Sequence, residues 1–179
     1  MHTEPFVVID NLLSKTDLEK IQQSLNNRNM PFYWHNDIDY EEKTPDLFNF
    51  GFSHQLLSSS KKERSEFLLE YLPIVTETCS TLSLNLIELL RMRIVLLTNV
   101  GHIHANRQHV DLPQTPCTTL VYYPEETDGN FVVCLDNHDK QIKPKENRCI
   151  VMYDNIGHHG HNPLTNRRRV VVNANIIVQ

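Results

Sequence analysis

The chain has 179 residues, 40% hydrophobic and 22% charged, a composition that excludes intrinsic disorder and fits one globular domain over 1–179. No run approaches the roughly 18 consecutive apolar residues that mark a membrane helix, and no basic-then-apolar leader opens the sequence, so no membrane partner is expected. The net charge is −5, with 7 basic and 14 acidic side chains in residues 1–89 and 10 and 8 in residues 90–179, which argues against nucleic acid as a partner because such binders carry a basic face. The four cysteines, Cys79, Cys117, Cys134 and Cys149, contain no CxxC pair, the pattern expected of a reduced, cytoplasmic protein.

In chain order, Phe6-Val7-Val8-Ile9 reads as a short strand. Ser14 or Thr16 can cap a helix over 16–26, where Leu18, Ile21 and Leu25 recur at helical spacing. Residues 29–55 are aromatic and irregular, a loop with strand fragments, and the acidic, aromatic stretch from Trp34 to Glu42 reads as part of a lid. Ser58-Ser59-Ser60 is a break. A long helical segment is expected over 62–90, interrupted at Pro73. Strands follow at 91–97, 118–123, 131–135, 149–153 and 170–178, separated by proline, glycine and asparagine turns. Helices first and strands after predict an α+β fold with a mainly β core. Residues 1–90 supply a strand, helices and lid, and the helices pack on one side of a sandwich or barrel formed by 91–179.

Histidine is the unusual count: ten in all, seven of them between His102 and His161. His109-Val110-Asp111 is an H-x-D; on a strand, residues i and i+2 share a face, so imidazole and carboxylate can meet one metal ion at an open site mouth. A third ligand is available from His158, His159 or His161. Two histidines and one carboxylate form the facial triad of non-heme iron oxygenases, which leaves positions open for a co-substrate and oxygen. Eleven residues beyond His158, Arg169 opens the last strand, with Arg167 as the fallback and Arg168 on the opposite face. A guanidinium suits a carboxylate anchor because its planar fork binds both oxygens and stays charged. Alternation places Val171, Asn173 and Asn175 on the face of Arg169. Two amides in an otherwise apolar strand imply a polar cavity, since unpaired buried amides are costly.

Several segments resemble one family: Phe6 to Leu13 as an opening strand and turn, Arg91-Met92-Arg93-Ile94 before the metal loop, His109-Val110-Asp111, Leu120-Val121-Tyr122-Tyr123, Ile142 to Arg148, His158-His159-Gly160-His161-Asn162-Pro163 as His-x-Gly-x-x-Pro, and Arg169 to Asn173 as Arg-x-x-x-Asn. The chain resembles the iron(II)- and 2-oxoglutarate-dependent dioxygenases, specifically the small prolyl 4-hydroxylase-like branch of bacteria and phages. It departs at Asp128-Gly129-Asn130, where the family often has Gly-Gly, and at Pro124. The resemblance implies a double-stranded β-helix, a distorted jelly roll. It implies His109, Asp111 and His158 as catalytic metal ligands. Arg169 and Tyr123 (Tyr122 being the competing tyrosine), with Asn173 and Asn175, would surround the co-substrate. The implied cofactors are Fe(II), 2-oxoglutarate and O2, with ascorbate as an accessory reductant. The implied reaction hydroxylates a prolyl or other side chain of a protein or peptide, or a small molecule, while 2-oxoglutarate is decarboxylated to succinate. The alternatives are a non-catalytic metal-binding jelly roll that docks a partner, and an oxygenase acting on a nucleobase or a free amino acid.

Overall fold

The computed structural model describes residues 4–38, 46–136 and 138–179. Strand β1 (Phe6–Asp10) leads to helix α1 (Lys15–Leu25), whose N-cap is Ser14: its hydroxyl accepts from the Asp17 amide. Then come β2 (Tyr33–His35), β3 (Gly51–Ser58), β4 (Glu63–Arg64), α2 (Leu68–Thr81), β5 (Leu86–Thr98), β6 (Thr118–Tyr123), β7 (Phe131–Leu135), β8 (His138–Ile142), β9 (Arg148–Met152), β10 (His158–Gly160) and β11 (Arg168–Val178). The large sheet runs β1-β9-β6-β11-β5-β3-β2, with β4 paired to β3; a second sheet runs β10-β7-β8.

The middle of the large sheet is buried on both faces, which is why β6 and most of β11 read as unbroken buried runs. One face packs on the helices. Ile21, Leu25, Tyr71, Ile74 and Val75 meet Met92, Ile94, Leu120, Tyr122, Val170, Val172, Ala174 and Ile176. The other faces the small sheet, where Val95, Leu97, Val121, Tyr123 and Val171 meet Phe131, Val133 and Ile142. The expected division of labour therefore holds: helices on one side, and a mainly β jelly-roll core. The even-numbered residues of β11 face the helices, and Arg169, Val171 and Asn173 face the opening between the sheets.

The expected long helix over 62–90 is shorter. It runs through Pro73 but stops at Leu82, because Ser83 takes a positive φ of 53° and turns the chain. The leucine-rich stretch from Leu86 extends β5 instead, pairing with Ile176–Val178. Of the expected lid, Trp34 to Ile38 are described, and residues 39–42 lie outside the described residues. Ile38 is buried and its amide donates to Asn49 O.

β1 is fixed to β9 at its end by Arg148, whose Nε and Nη2 donate to both oxygens of Asp10 at 2.6 and 2.9 Å. This fork, chiefly its hydrogen bond, with help from Lys145, pulls the Asp10 carboxyl down to about 2 against the opposing effect of burial. A depressed carboxylate stabilises the fold above its ordinary value near 4, and the contribution is lost as pH falls through about 2. Asp10→Asn should therefore cost no more than about 1 kcal/mol at neutral pH, as expected for a solvent-accessible pair. Chemical denaturation should show that gap closing between pH 5 and pH 2.

Candidate metal centre and active site

His109 and Asp111 do not lie on a strand as the H-x-D spacing predicts. They sit in the irregular segment between β5 and β6, which two isolated antiparallel bridges, His109 to His158 and Ala105 to His161, hold in place. The amide of His109 donates to His158 O, and the amide of His158 donates to His109 O, both at 2.9 Å. This exchange sets the two imidazoles on the same side, with ring centroids 4.6 Å apart. The chain is held nearby again where the Asn106 amide donates to Gly160 O and the Asn162 amide donates to His104 O.

One nitrogen of each imidazole is tied back to its own chain. His109 Nδ1 lies 3.0 Å from Arg107 O, and His158 Nδ1 lies 2.9 Å from Ile156 O. A carbonyl only accepts, so Nδ1 carries the proton in both rings and each Nε2 offers a lone pair. His158 Nε2 is buried and has no hydrogen-bond partner among the described residues. Burial, outweighing Asp111, pushes the His158 imidazole down to about 4, so it is neutral at neutral pH. One oxygen of Asp111 lies 3.9 Å from His109 Nε2. Ligand atoms of His109, Asp111 and His158 all fall within 4.8 Å of one another, the one such grouping among the described residues. Two imidazoles, one with a buried Nε2 that has no hydrogen-bond partner among the described residues, and one carboxylate fit a divalent iron ion.

Asp111 is not at an open mouth. It is 5% exposed. Burial alone would raise its carboxyl, but Arg91, His158, Arg93 and His109 together hold it well below the usual carboxylate range. The sequence reading missed Arg91 and Arg93. Their i, i+2 spacing among the apolar residues Leu89 to Leu97 of β5 carried the same signal that pointed to Asn173 and Asn175.

Arg169 lies at the far end of the same cavity, 3% exposed, whereas Arg167 is exposed and Arg168 turns away to ion-pair with Glu125. Arg169 Nε donates to Gly129 O at 3.1 Å, and Nη2 donates to Tyr123 Oη at 2.7 Å. The phenol accepts that bond, which leaves its own proton free to donate. Burial, partly offset by Arg169, raises the Tyr123 phenol, so it stays protonated. Tyr122 faces the helices and donates to Asn147 Oδ1. Gly160 leaves room for the guanidinium, since a Cβ there would stand 2.8 Å from Arg169 Nη1, while at Gly129 a Cβ would stand 2.3 Å from the backbone oxygen of His161, which cannot give way. The cavity between Arg169 and the histidines is walled by Val95, Leu97, Val121, Phe131 and Val171, with Arg93, Asn106 and Asn173 as polar members.

Asn173 lines this cavity, and its Oδ1 has no hydrogen-bond partner among the described residues. Asn175, expected to face the co-substrate, is instead turned onto Asp111 and Thr119, to which its Nδ2 donates at 3.1 and 2.9 Å. It lies further along β11, level with the carboxylate. His159 and His161, the competing late histidines, lie with their rings tilted against each other, centroids 5.5 Å apart, outside the three-residue grouping.

No protein-family model matches the sequence, and no curated protein matches it. In structure the chain is similar to a prolyl-4-hydroxylase from Pseudomonas putida, with a TM-score of 0.70 and 13% identity over 97% of this chain and 93% of that one. It is similar to a prolyl hydroxylase from Trichoplax adhaerens in complex with a hypoxia inducible factor oxygen degradation domain peptide fragment (0.69, 13%, 97% and 84%). It is also similar to SnoN, a non-heme alpha ketoglutarate dependent epimerase from nogalamycin biosynthesis (0.64, 9%, 97% and 78%). What these likenesses establish is the fold: this chain is a jelly roll of the kind that prolyl hydroxylases and an alpha ketoglutarate dependent epimerase share.

Proposed function

We propose that this chain is an iron(II)- and 2-oxoglutarate-dependent dioxygenase that hydroxylates a prolyl or other side chain of a protein or peptide. One observation carries the reading: one cavity is lined both by His109 and His158 of the His-Asp-His grouping and by the buried, tyrosine-backed Arg169. That polarity matches 2-oxoglutarate, a dicarboxylate with a metal-chelating keto acid at one end and a plain carboxylate at the other. His109, Asp111 and His158 would hold the iron. Bound there with 2-oxoglutarate and O2, iron supplies the oxidising power to hydroxylate an unactivated carbon while 2-oxoglutarate becomes succinate.

The protein's own part is positional. Arg169 holds the distal carboxylate through its fork and Tyr123 donates its phenol proton to the same group. Val121 and Val171 pack the methylene stem and exclude water. The carbonyls of Arg107 and Ile156 keep both imidazoles in the tautomer that presents Nε2. A peptide substrate is supported by the Trichoplax enzyme, whose structure holds a peptide fragment, and the substrate assignment rests on that analogy.

A screen of proline-containing and other peptides, with iron(II) and 2-oxoglutarate supplied and succinate measured, tests the reading. A peptide that stimulates succinate formation and gains one oxygen atom by mass supports it. Iron binding with no 2-oxoglutarate consumption would leave the non-catalytic metal-binding module as the better account.

Gly160→Ala gives a separate check. The new Cβ meets the movable end of Arg169, not backbone, so the chain should still fold while the guanidinium is displaced. Losing one charge-assisted hydrogen bond of about 1.5–3 kcal/mol corresponds to roughly tenfold or more in affinity. Calorimetric titration should show 2-oxoglutarate weakened by that factor, with iron binding unchanged.

A further inference from the structure

Both oxygens of Asp111 are engaged by a closed triangle of side chains. Arg91 Nη2 lies 2.8 Å from Oδ1, Asn175 Nδ2 donates to Oδ2 at 3.1 Å, and Arg91 Nε donates to Asn175 Oδ1 at 2.9 Å. The triangle fixes its own orientation. Arginine has no acceptor, so it forces the Asn175 carbonyl oxygen to its side and the amide hydrogens toward Asp111. The second Nδ2 hydrogen goes to Thr119 Oγ1. Asn175 is fully buried, and Arg91 and Asn175 are direct partners across β5 and β11. Thus strand pairing, not a loop, sets the position of the carboxylate. Oδ1 is the oxygen turned toward His109 Nε2, and Oδ2 is the one held back by Asn175.

We propose that Arg91 and Asn175 are a positioning pair that makes Asp111 present a single oxygen to the metal. The proposal rests on the metal-site reading above and adds a role that the ligands alone do not imply. The geometry opposes simple charge. A cation 2.8 Å from a metal-binding oxygen weakens that oxygen's attraction for a second cation, so on electrostatics alone Arg91→Met should tighten metal binding. Positioning predicts the reverse: loss of the brace lets the carboxylate rotate and weakens binding about 10–100-fold, as for other groups that orient a ligand.

The test is Co(II) binding to the full chain, followed by calorimetry and by the visible spectrum of bound cobalt, which reports coordination geometry. Parent, Arg91→Met, Arg91→Lys and Asn175→Ala are compared, each checked for folding by thermal melting. Arg91 lies partly at the surface, so its variants keep the test open if Asn175→Ala fails to fold. The expected result is weaker binding and an altered spectrum in Arg91→Met and Asn175→Ala, with partial recovery in Arg91→Lys. Equal or tighter binding with an unchanged spectrum in Arg91→Met overturns the positioning role while leaving the metal site standing. Failure of the parent to bind cobalt at all overturns the metal-site reading itself, and the positioning role with it.

Discussion

Arg169→Ala should lose affinity for 2-oxoglutarate by roughly 30- to several-thousand-fold, with little change in iron binding. The guanidinium is buried beneath Gly160 and hydrogen-bonded to Gly129 O and Tyr123 Oη, so the carboxylate it would meet is largely removed from water. Removing one partner of a buried charge pair costs about 2–5 kcal/mol, mostly because the other charge is left unpaired. At about 1.4 kcal/mol per tenfold, that gives the range above. Arg169→Lys should recover only part of the loss, since an ammonium cannot satisfy Gly129, Tyr123 and a carboxylate from one fork. Arg168→Ala should leave affinity intact, because Arg168 pairs with Glu125 on the outer side of β11. Calorimetric titration of 2-oxoglutarate into metal-loaded protein measures all three. A large loss in Arg167→Ala and none in Arg169→Ala would contradict the placement.

The second large effect is at the metal. Asp111→Ala removes one of the three proposed ligands and should weaken iron(II) binding by more than the roughly 10–100-fold that follows loss of a group supporting a ligand. Substrate-coupled turnover should vanish with it. Because Asp111 is buried against Arg91 and Asn175, alanine also leaves a guanidinium uncompensated. Breaking a fully buried pair costs about 3–5 kcal/mol; Arg91 is partly exposed, so the loss of stability should be smaller than that. Asp111→Asn, which keeps the shape, separates lost ligation from lost stability. Among the late histidines, His158→Ala should lose metal while His159→Ala and His161→Ala retain it. Equal, mild losses across the three would place the ligand elsewhere.

Much of this was legible from sequence where a local period decides the outcome. Alternation along 169–178 separated Arg169, Val171 and Asn173 from the helix-facing Val170, Val172, Ala174 and Ile176, because β11 is central and its register is fixed by burial on both faces. The cap at Ser14 and the break at Ser58-Ser59-Ser60 were likewise local, whereas the strand Gly51–Ser58 lies largely in a stretch read as a loop with strand fragments. The stretch 82–90 misled because leucine-rich sequence suits helix and strand alike, and distant pairing with Ile176–Val178 decided it. β8 and β10 were missed because they are short, with few apolar residues to mark a period. The bridge between His109 and His158, the burial of Asp111 and the turn of Asn175 onto it all depend on contacts between residues about 49 to 84 positions apart, which no window along the chain contains.

The central claim is that one cavity holds iron and 2-oxoglutarate together. Its most direct test is anaerobic titration of 2-oxoglutarate into iron(II)-loaded protein, watching for the visible charge-transfer band that a keto acid chelating iron(II) produces. The account predicts a saturable band in the parent, absence of the band in Asp111→Ala, and a band in Arg169→Ala that saturates only at far higher 2-oxoglutarate. No band in folded, iron-loaded parent protein would contradict it.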